Sequence, residues 1–441
     1  MIPVMTLAPP LQSNTLAHPD RAFHDWYRFV LSFPPHLVRA YLEKMGAHAN
    51  AVILDPFCGT GTTLVEAKKL GMSSIGIEAN PVAHFASRVK VDWSVVPEAL
   101  WETALKTANS ALLEFQSEGL NDDFLFNSDQ AAAFAATHDL KTLSDDEQML
   151  VLHHSISPLP LHKVLTLRDH IVRTGDARFS AHLLLALATM TIKSASNLHF
   201  GPEVGVKGSK ADVSVISAWL ALVRAMVDDL VEYQSGASIS STVHHTDARM
   251  INSALTDTSV DVVFTSPPYP NEKDYTRTTR LEMVLLGFIH DRASLQAIKK
   301  GLLRSNTRGV YKEDRDDLLT VTYPRIQALV DAIEQRRLDL GKTSGFERLY
   351  GRVTKLYFGG MVRHLTSLKT GLRPGAKLGY VVGDQASYFR VLIPTGELLA
   401  EIADSLGYRV TNIDLFRTRF STATGEHLKE EVVLLEWKGG S

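Results

Sequence analysis

The chain has 441 residues, 45% of them apolar and 22% charged, a balance that fits a soluble globular protein and excludes a disordered or collagen-like one. Against 46 Lys and Arg stand 49 Asp and Glu, a formal charge of −3, so no global positive field draws in polyanions and any nucleic-acid contact needs a local basic face. One cysteine, Cys58, excludes an intrachain disulfide framework and a cysteine zinc cluster and fits a reducing, cytoplasmic setting. The longest nearly unbroken apolar stretch, 181–190, is about half the roughly 20 residues a membrane span needs, and the first ten residues lack the basic region of a signal peptide, so no membrane association is expected.

In chain order, residues 1–20 carry prolines and little apolar pattern and read as a loose arm. Phe33-Pro34-Pro35 opens a helix running to Met45. The short apolar run 51–54 predicts a strand that meets Asp55-Pro-Phe-Cys-Gly-Thr-Gly-Thr-Thr63, followed by a helix stopping at Gly71 and a second strand, 74–77, ending at Glu78. Strand, glycine turn, helix, strand is a βαβ unit with strands buried on both faces. From about Pro97 to Gly236 the spacing is helical, clearest over 101–108, 147–154 and 218–230. Strand signals return at 241–245 and 260–264, a charged, helix-poor stretch spans about 290–345, and the end reads helix 356–368, strand 378–382, helix 397–406 and a closing antiparallel pair, 410–416 with 431–436. The expected architecture is α/β, a Rossmann-like sheet with helices on both faces, interrupted by a long helical insertion and a shorter charged one. The corresponding divisions are 1–96, 97–236, 237–289, 290–345 and 346–441.

Three strand ends carry the chemistry. At the first, Asp55, Phe57, Gly59, Gly61, Thr62 and Thr63 form a glycine turn in which backbone can approach a ligand and free N–H groups open a helix; read alone, it is equally a tight βα turn. No Gly-Lys-Ser/Thr ends it, so it is not a triphosphate loop, and Gly341-Lys342-Thr343 lacks the earlier glycine that motif requires. Glu78, 17 residues after Gly61, ends the second strand where an acid can accept from two vicinal ribose hydroxyls. Asp247, after the 241–245 run, either receives an exocyclic amine of an adenine or caps a helix. Finally, Thr265-Ser266-Pro267-Pro268-Tyr269 follows the 260–264 strand. Two prolines stiffen the loop and remove two amide donors, between a hydroxyl and an aromatic ring. The 17 histidines show no metal-ligand spacing, and no metal is expected.

Together these residues resemble the exocyclic-amino DNA methyltransferases, which modify cytosine N4 or adenine N6 with S-adenosylmethionine. The resemblance covers the first hundred residues and roughly Val243 to the end: residues 55–63 resemble that family's cofactor loop, Ser266-Pro-Pro-Tyr269 its catalytic tetrapeptide, and Phe23-His24 with Phe33-Pro34-Pro35 its cofactor-flanking segment. It implies that Asp55 and the loop hold the methionine end of the cofactor, Glu78 the ribose and Asp247 the adenine. The order of motifs excludes the permuted subgroup in which the tetrapeptide comes first. Serine at position 266 resembles the cytosine-N4 group more than the adenine-N6 group, where aspartate is common. Ring-carbon methylation needs a cysteine nucleophile, and Cys58 sits in the cofactor loop instead. The expected substrate is a base flipped out of double-stranded DNA, held by Asn271, Lys273, Tyr275 and Arg277, with a cognate restriction nuclease as a further partner; an RNA base and a non-catalytic binding role are the alternatives.

Residues 290–355 hold 14 Lys and Arg against 9 Asp and Glu, with Lys299, Lys300, Arg304, Arg308, Lys312 and Arg315 clustered: a DNA-contacting face or a solvated charged loop. The polar, glycine-rich segment 197–210 reads as a linker between helices or as a loop approaching DNA or cofactor.

Overall fold

The two strands of the β-α-β opening stop at or just before an acid, Asp55 and Glu78, and the turns that follow, through Gly59 and through Asn80-Pro81, lead into the next helices. The computed structural model describes residues 16–28, 32–173, 176–201, 203–255, 259–271, 273–421 and 424–440; most of the arm expected over 1–20 lies outside them. Helix α1 (Pro35–Lys44) leads to β1 (Val52–Asp55), α2 (Thr62–Lys69), β2 (Ser73–Ile77) and α3 (Pro81–Val91). Gly61 caps α2 with φ +87°, and a Cβ there would press to 3.0 Å from the Ser87 Cβ of α3, so the close crossing of the two helices requires glycine. Asn80 caps α3 by accepting from the Val82 and Ala83 N–H groups, and Pro81 supplies the first helical residue.

Helices α4 (Pro97–Ser117), α5 (Ser128–Thr137), α6 (Asp145–Leu150), α7 (Pro158–Arg173), α8 (Ala177–Met190) and α9 (Ile216–Glu232) follow, with a short antiparallel hairpin, β3 (Leu198–Phe200) and β4 (Val204–Val206), before α9. Two expectations change here. The helix expected over 147–154 stops at Leu150, and segment 197–210 is neither a plain linker nor wholly a loop but carries this hairpin. Leu100, Leu165, Leu183 and Trp219 of the helices are buried in one cluster with Leu64 and Val65 of α2 and Val82 of α3, so the helical segment shares a core with the sheet's helices.

Strand β5 (Ser241–His244) pairs with β2, and β6 (Val260–Thr265) with β1. Then come α10 (Tyr275–Thr278), α11 (Arg280–Leu285), α12 (Arg292–Lys300), α13 (Pro324–Asp339), α14 (Tyr350–Leu368), β7 (Leu372–Gly383), α15 (Thr395–Ser405), β8 (Tyr408–Ser421) and β9 (Glu426–Trp437). The stretch expected to be helix-poor thus holds α12 and α13. The first packs only the half-buried Leu295 and Ile298 on the core, and the second buries Ile326, Val330 and Ile333 with Leu329 half-buried beside them, stripes set among many charged residues.

The seven strands lie in the order β5-β2-β1-β6-β7-β9-β8. The first five are mutually parallel, and β9 runs antiparallel between β7 and β8, as the closing pair predicted. This is the mostly parallel, helix-flanked sheet of a Rossmann-like α/β fold. Alternation along β7 sends Leu378, Tyr380 and Val382 into the core shared with α14 and α15, and Val381 to the opposite core with Leu37, Val38 and Tyr41 of α1. No described helix is long and apolar enough to cross a membrane.

Helix α14 is pressed against the turn 316–320 at Gly359, where a Cβ would overlap the Asp316 carbonyl oxygen. Gly359→Ala should therefore destabilise the fold by about 1–3 kcal/mol or more, as overpacking does, read as a lowered denaturation midpoint. Gly345→Ala, which meets open space, should leave the midpoint nearly unchanged.

Candidate active site

The carboxyl ends of neighbouring strands β1 and β6 release two loops side by side, at the edge where open α/β sheets bind ligands. Asp55, last in β1, and Thr265, last in β6, tie the loops together: the Thr265 hydroxyl donates to Asp55 Oδ1 at 2.6 Å, and the Phe57 N–H donates to the same oxygen at 3.1 Å. Asp55 Oδ2 is buried without a hydrogen-bond partner among the described residues. Burial pushes the carboxyl up to about 6, against the lowering effect of its donors.

One cleft of about 1130 Å³ opens between the loops. Of the sequence-predicted cofactor residues, Phe57, Gly59, Thr62, Glu78 and Asp247 line it, and so do all four residues Ser266, Pro267, Pro268 and Tyr269. Asp55, Gly61 and Thr63 do not. Asp55 and Thr63 are fully buried behind the loop, the latter donating to the Phe264 carbonyl at 3.3 Å, and Gly61 serves the crossing of α2 with α3. These three shape the loop from behind. Phe33 reaches the cleft, whereas Phe23 and His24 do not: Phe23 stacks on Trp93 at 4.3 Å and His24 bonds to Glu66 of α2 at 2.8 Å.

Glu78 faces the loop from β2. Its Oε2 accepts the Gly59 N–H at 2.9 Å and its Oε1 the Asn80 N–H at 2.7 Å, which leaves lone pairs on both oxygens for further donors. Desolvation nevertheless raises the carboxyl to about 7. Phe57 sits edge-on to the His364 ring of α14, with centroids 4.9 Å apart. His364 is held neutral by burial, its pKa near 4; Nδ1 donates to the Ala248 carbonyl and Nε2 accepts from the Tyr380 hydroxyl, both at 2.8 Å. Asp247 does cap the helical turn after β5, accepting from the Arg249 N–H at 2.9 Å, and both its oxygens also accept from the Arg249 guanidinium.

The Ser266 hydroxyl donates to the Val381 carbonyl of β7 at 3.1 Å. Its proton is thereby committed, and its oxygen offers lone pairs. Tyr269 lies against Gly383 at the end of β7, where a Cβ would come within 2.6 Å of the ring. Asn271, with φ +59°, turns the chain after the tetrapeptide and lines the cleft together with Lys273 and Tyr275. Lys273 donates to the Gly201 carbonyl at the β3–β4 turn at 2.8 Å, so the 197–210 segment does approach the site. Arg277 falls outside the lining and faces Glu203.

The basic cluster divides. Lys299 pairs with Asp274 at 2.7 Å, and Arg304 is buried against Asp314 at 2.8 Å with backbone carbonyls around it, so these two cations brace the wall of the cleft, which they line together with Arg308. Sequence reasoning missed Val381 and Gly383, and also Phe416, Arg417, Arg419 and Phe420 of β8, which form another part of the cleft wall. Only the position of Gly383 at a strand end gives a signal; the β8 residues reach the cleft through an extension of the hairpin with no motif of its own.

Comparison with known proteins agrees with this geometry. A DNA methylase family model, for the N6 and N4 amino methylases, matches residues 12–87. The Type II methyltransferase M.BsoBI of Geobacillus stearothermophilus is 26% identical over 432 residues, covering 91% of this chain and 82% of that one. The Type II methyltransferase M.AvaI of Anabaena variabilis is 21% identical over 421 residues, covering 90% and 81%. A shorter match, 37% over 70 residues, joins the chain to the Type II methyltransferase M.MjaII of Methanocaldococcus jannaschii, covering 15% and 13%. These comparisons support the exocyclic-amino DNA methyltransferases as the family the chain is similar to, a family whose methyl donor is S-adenosylmethionine.

The residues present fit that donor: Glu78 keeps lone pairs toward the cleft, and the Phe57 ring supplies an apolar wall. A carboxyl raised to about 7 keeps its proton in the fold at pH values where the unfolded chain has released it. Its contribution to stability is therefore full at low pH and lost as pH rises through about 7. Thermal melts of wild type and Glu78→Gln without ligand should show the variant gaining on wild type between about pH 5 and about pH 8. A constant difference would contradict the assigned ionisation.

Proposed function

We propose that the chain is a site-specific DNA methyltransferase that transfers a methyl group from S-adenosylmethionine to an exocyclic amino nitrogen of a flipped base, cytosine N4 in preference to adenine N6. The observation that carries this reading is the Ser266 hydroxyl, whose proton is spent on the Val381 carbonyl beside a glycine loop opening into the same cleft. An aromatic amine is a poor nucleophile because its lone pair is delocalised into the ring. Ser266 Oγ and the Pro267 carbonyl accept its two hydrogens and draw the nitrogen toward sp³, directing the lone pair at the methyl group. Tyr269, seated on Gly383, stacks on the extruded base, whose removal from the duplex costs a few kcal/mol. The bound cofactor would supply an electrophilic sulfonium methyl, whose carbon–sulfur bond breaks as the nitrogen–carbon bond forms, and the amine's surplus proton passes to solvent in the open cleft. Asp55 acts from beneath the loop on the methionine end, Gly59 and Thr62 border it, Glu78 accepts from the ribose and Asp247 from the adenine amine. Asn271, Lys273 and Tyr275 steady the target nucleotide. Catalysis is then positioning and electrostatic preorganisation.

The segments 97–236 and 290–345 are the insertions that frame the target, and the protein works in the cytoplasm as the modifying half of a restriction-modification pair. The names of its relatives, Type II methyltransferases, support that role.

Mass spectrometry of nucleosides from duplex DNA incubated with the protein and S-adenosylmethionine should yield N4-methylcytosine. N6-methyladenine would move the assignment to the other base, and label confined to an RNA arm would overturn DNA as the substrate. Tyr269→Ala should weaken base binding by about 1–3 kcal/mol and leave cofactor affinity nearly unchanged. Glu78→Ala should do the reverse, as read by calorimetric titration of cofactor and by DNA binding. Equal losses of cofactor affinity in both would contradict the division of roles.

A further inference from the structure

Two guanidinium groups from different segments meet at one point beside the cleft. Arg277, in α10 after the tetrapeptide, places Nη1 3.9 Å from Glu203 Oε2, and Arg308, in the turn after α12, places Nη1 3.7 Å from the same oxygen. Glu203 stands at the turn of the β3–β4 hairpin, with its side chain 64% exposed. Both separations exceed a hydrogen bond, so the carboxylate is held loosely and in solvent. Arg277 Nε is buried without a hydrogen-bond partner among the described residues, a donor that the carboxylate leaves unsatisfied. Lys273, on the same segment, reaches the hairpin through the Gly201 carbonyl.

A pair of forked cations around one weakly held oxygen is the chemistry of phosphate recognition. Lys299 and Arg304 nearby are committed to Asp274 and Asp314, so of these four cations it is Arg277 and Arg308 whose partner is displaceable. We infer that Arg277 and Arg308 form a binding site for a backbone phosphate of the DNA strand entering the cleft, with the Glu203 carboxylate as its stand-in until DNA displaces it. The inference rests on DNA being the substrate. It assigns the hairpin a part in the binding cycle: its turn closes against the segment after the tetrapeptide through Lys273 and Glu203 and yields the two arginines to the polyanion.

The test is fluorescence anisotropy of a mixed-sequence duplex, titrated with the full chain and S-adenosylhomocysteine over a range of salt, for wild type, Glu203→Ala, Glu203→Gln, the pair Arg277→Ala with Arg308→Ala, and the triple variant. Either Glu203 substitution should tighten binding about three- to tenfold. The arginine pair should weaken binding and make the salt slope shallower by about 1, the change expected for one phosphate that is no longer neutralised. Removing Glu203 in that background should then change nothing. Unchanged or weaker binding by both Glu203 variants overturns the inference. So does an equal gain with and without the arginines, since that is a diffuse charge effect. Millimolar inorganic phosphate abolishing the Glu203 gain without competing for wild type would support a phosphate site at this point. A wild-type chain that binds no duplex at any salt overturns the substrate reading itself.

Discussion

The hydrogen bond from the Thr265 hydroxyl to Asp55 joins the last residues of two neighbouring parallel strands inside the core, and the site depends on it. Parallel pairing of β1 with β6 brings their carboxyl ends to one edge; the bond fixes the two departing loops against each other at that edge. One loop is a glycine turn whose backbone faces Glu78, the other a proline-stiffened ledge whose serine points its proton at β7. Neither loop makes the cleft alone.

The electrostatic character follows from the same burial. Asp55 and Glu78 are pushed up to about 6 and about 7 because desolvation outweighs the donors that surround them. A carboxylate kept at such a disadvantage without forming an ion pair is costly to a fold. For Glu78, which lines the cleft, it is the arrangement expected where a ligand with hydroxyl donors completes the set. Cys58, by contrast, is buried in the loop with its thiol pushed well up, unsuited to serve as a thiolate nucleophile.

Much of this was legible in the sequence because the chemistry sits at strand ends, where short motifs carry it: residues 55–63, Glu78 and Ser266–Tyr269 stand out by local pattern alone. Which side of a loop faces the cleft was not legible. Asp55, Thr63 and Gly61 belong to the same motif as Gly59 but turn toward β6 and α3, and only tertiary packing decides that. Charge clustering does not reveal which cations are already paired, for a related reason. Lys299 and Arg304 look like surface cations in a basic run, yet find acids brought close by folding. Helices α12 and α13 do carry apolar residues at helical spacing, Leu295 with Ile298 and Ile326 with Leu329, Val330 and Ile333, but these are set among charged residues that dominate the composition of the stretch. Val381 contributes only a carbonyl, and no side-chain pattern announces a carbonyl.

The hairpin between α8 and α9 shows how a segment outside the main sheet becomes part of a site it does not build. Its short strands form a two-stranded sheet of their own, and its turn reaches the tetrapeptide segment through an ammonium-to-carbonyl bond and a loosely held carboxylate.

In a crystal structure of the chain with S-adenosylhomocysteine, the ligand should lie between the 57–62 loop and the Ser266–Tyr269 ledge, its ribose hydroxyls on Glu78 and its sulfur turned toward Ser266. A ligand bound elsewhere, or in the same cleft with its sulfur turned away from Ser266, would contradict the proposed transfer.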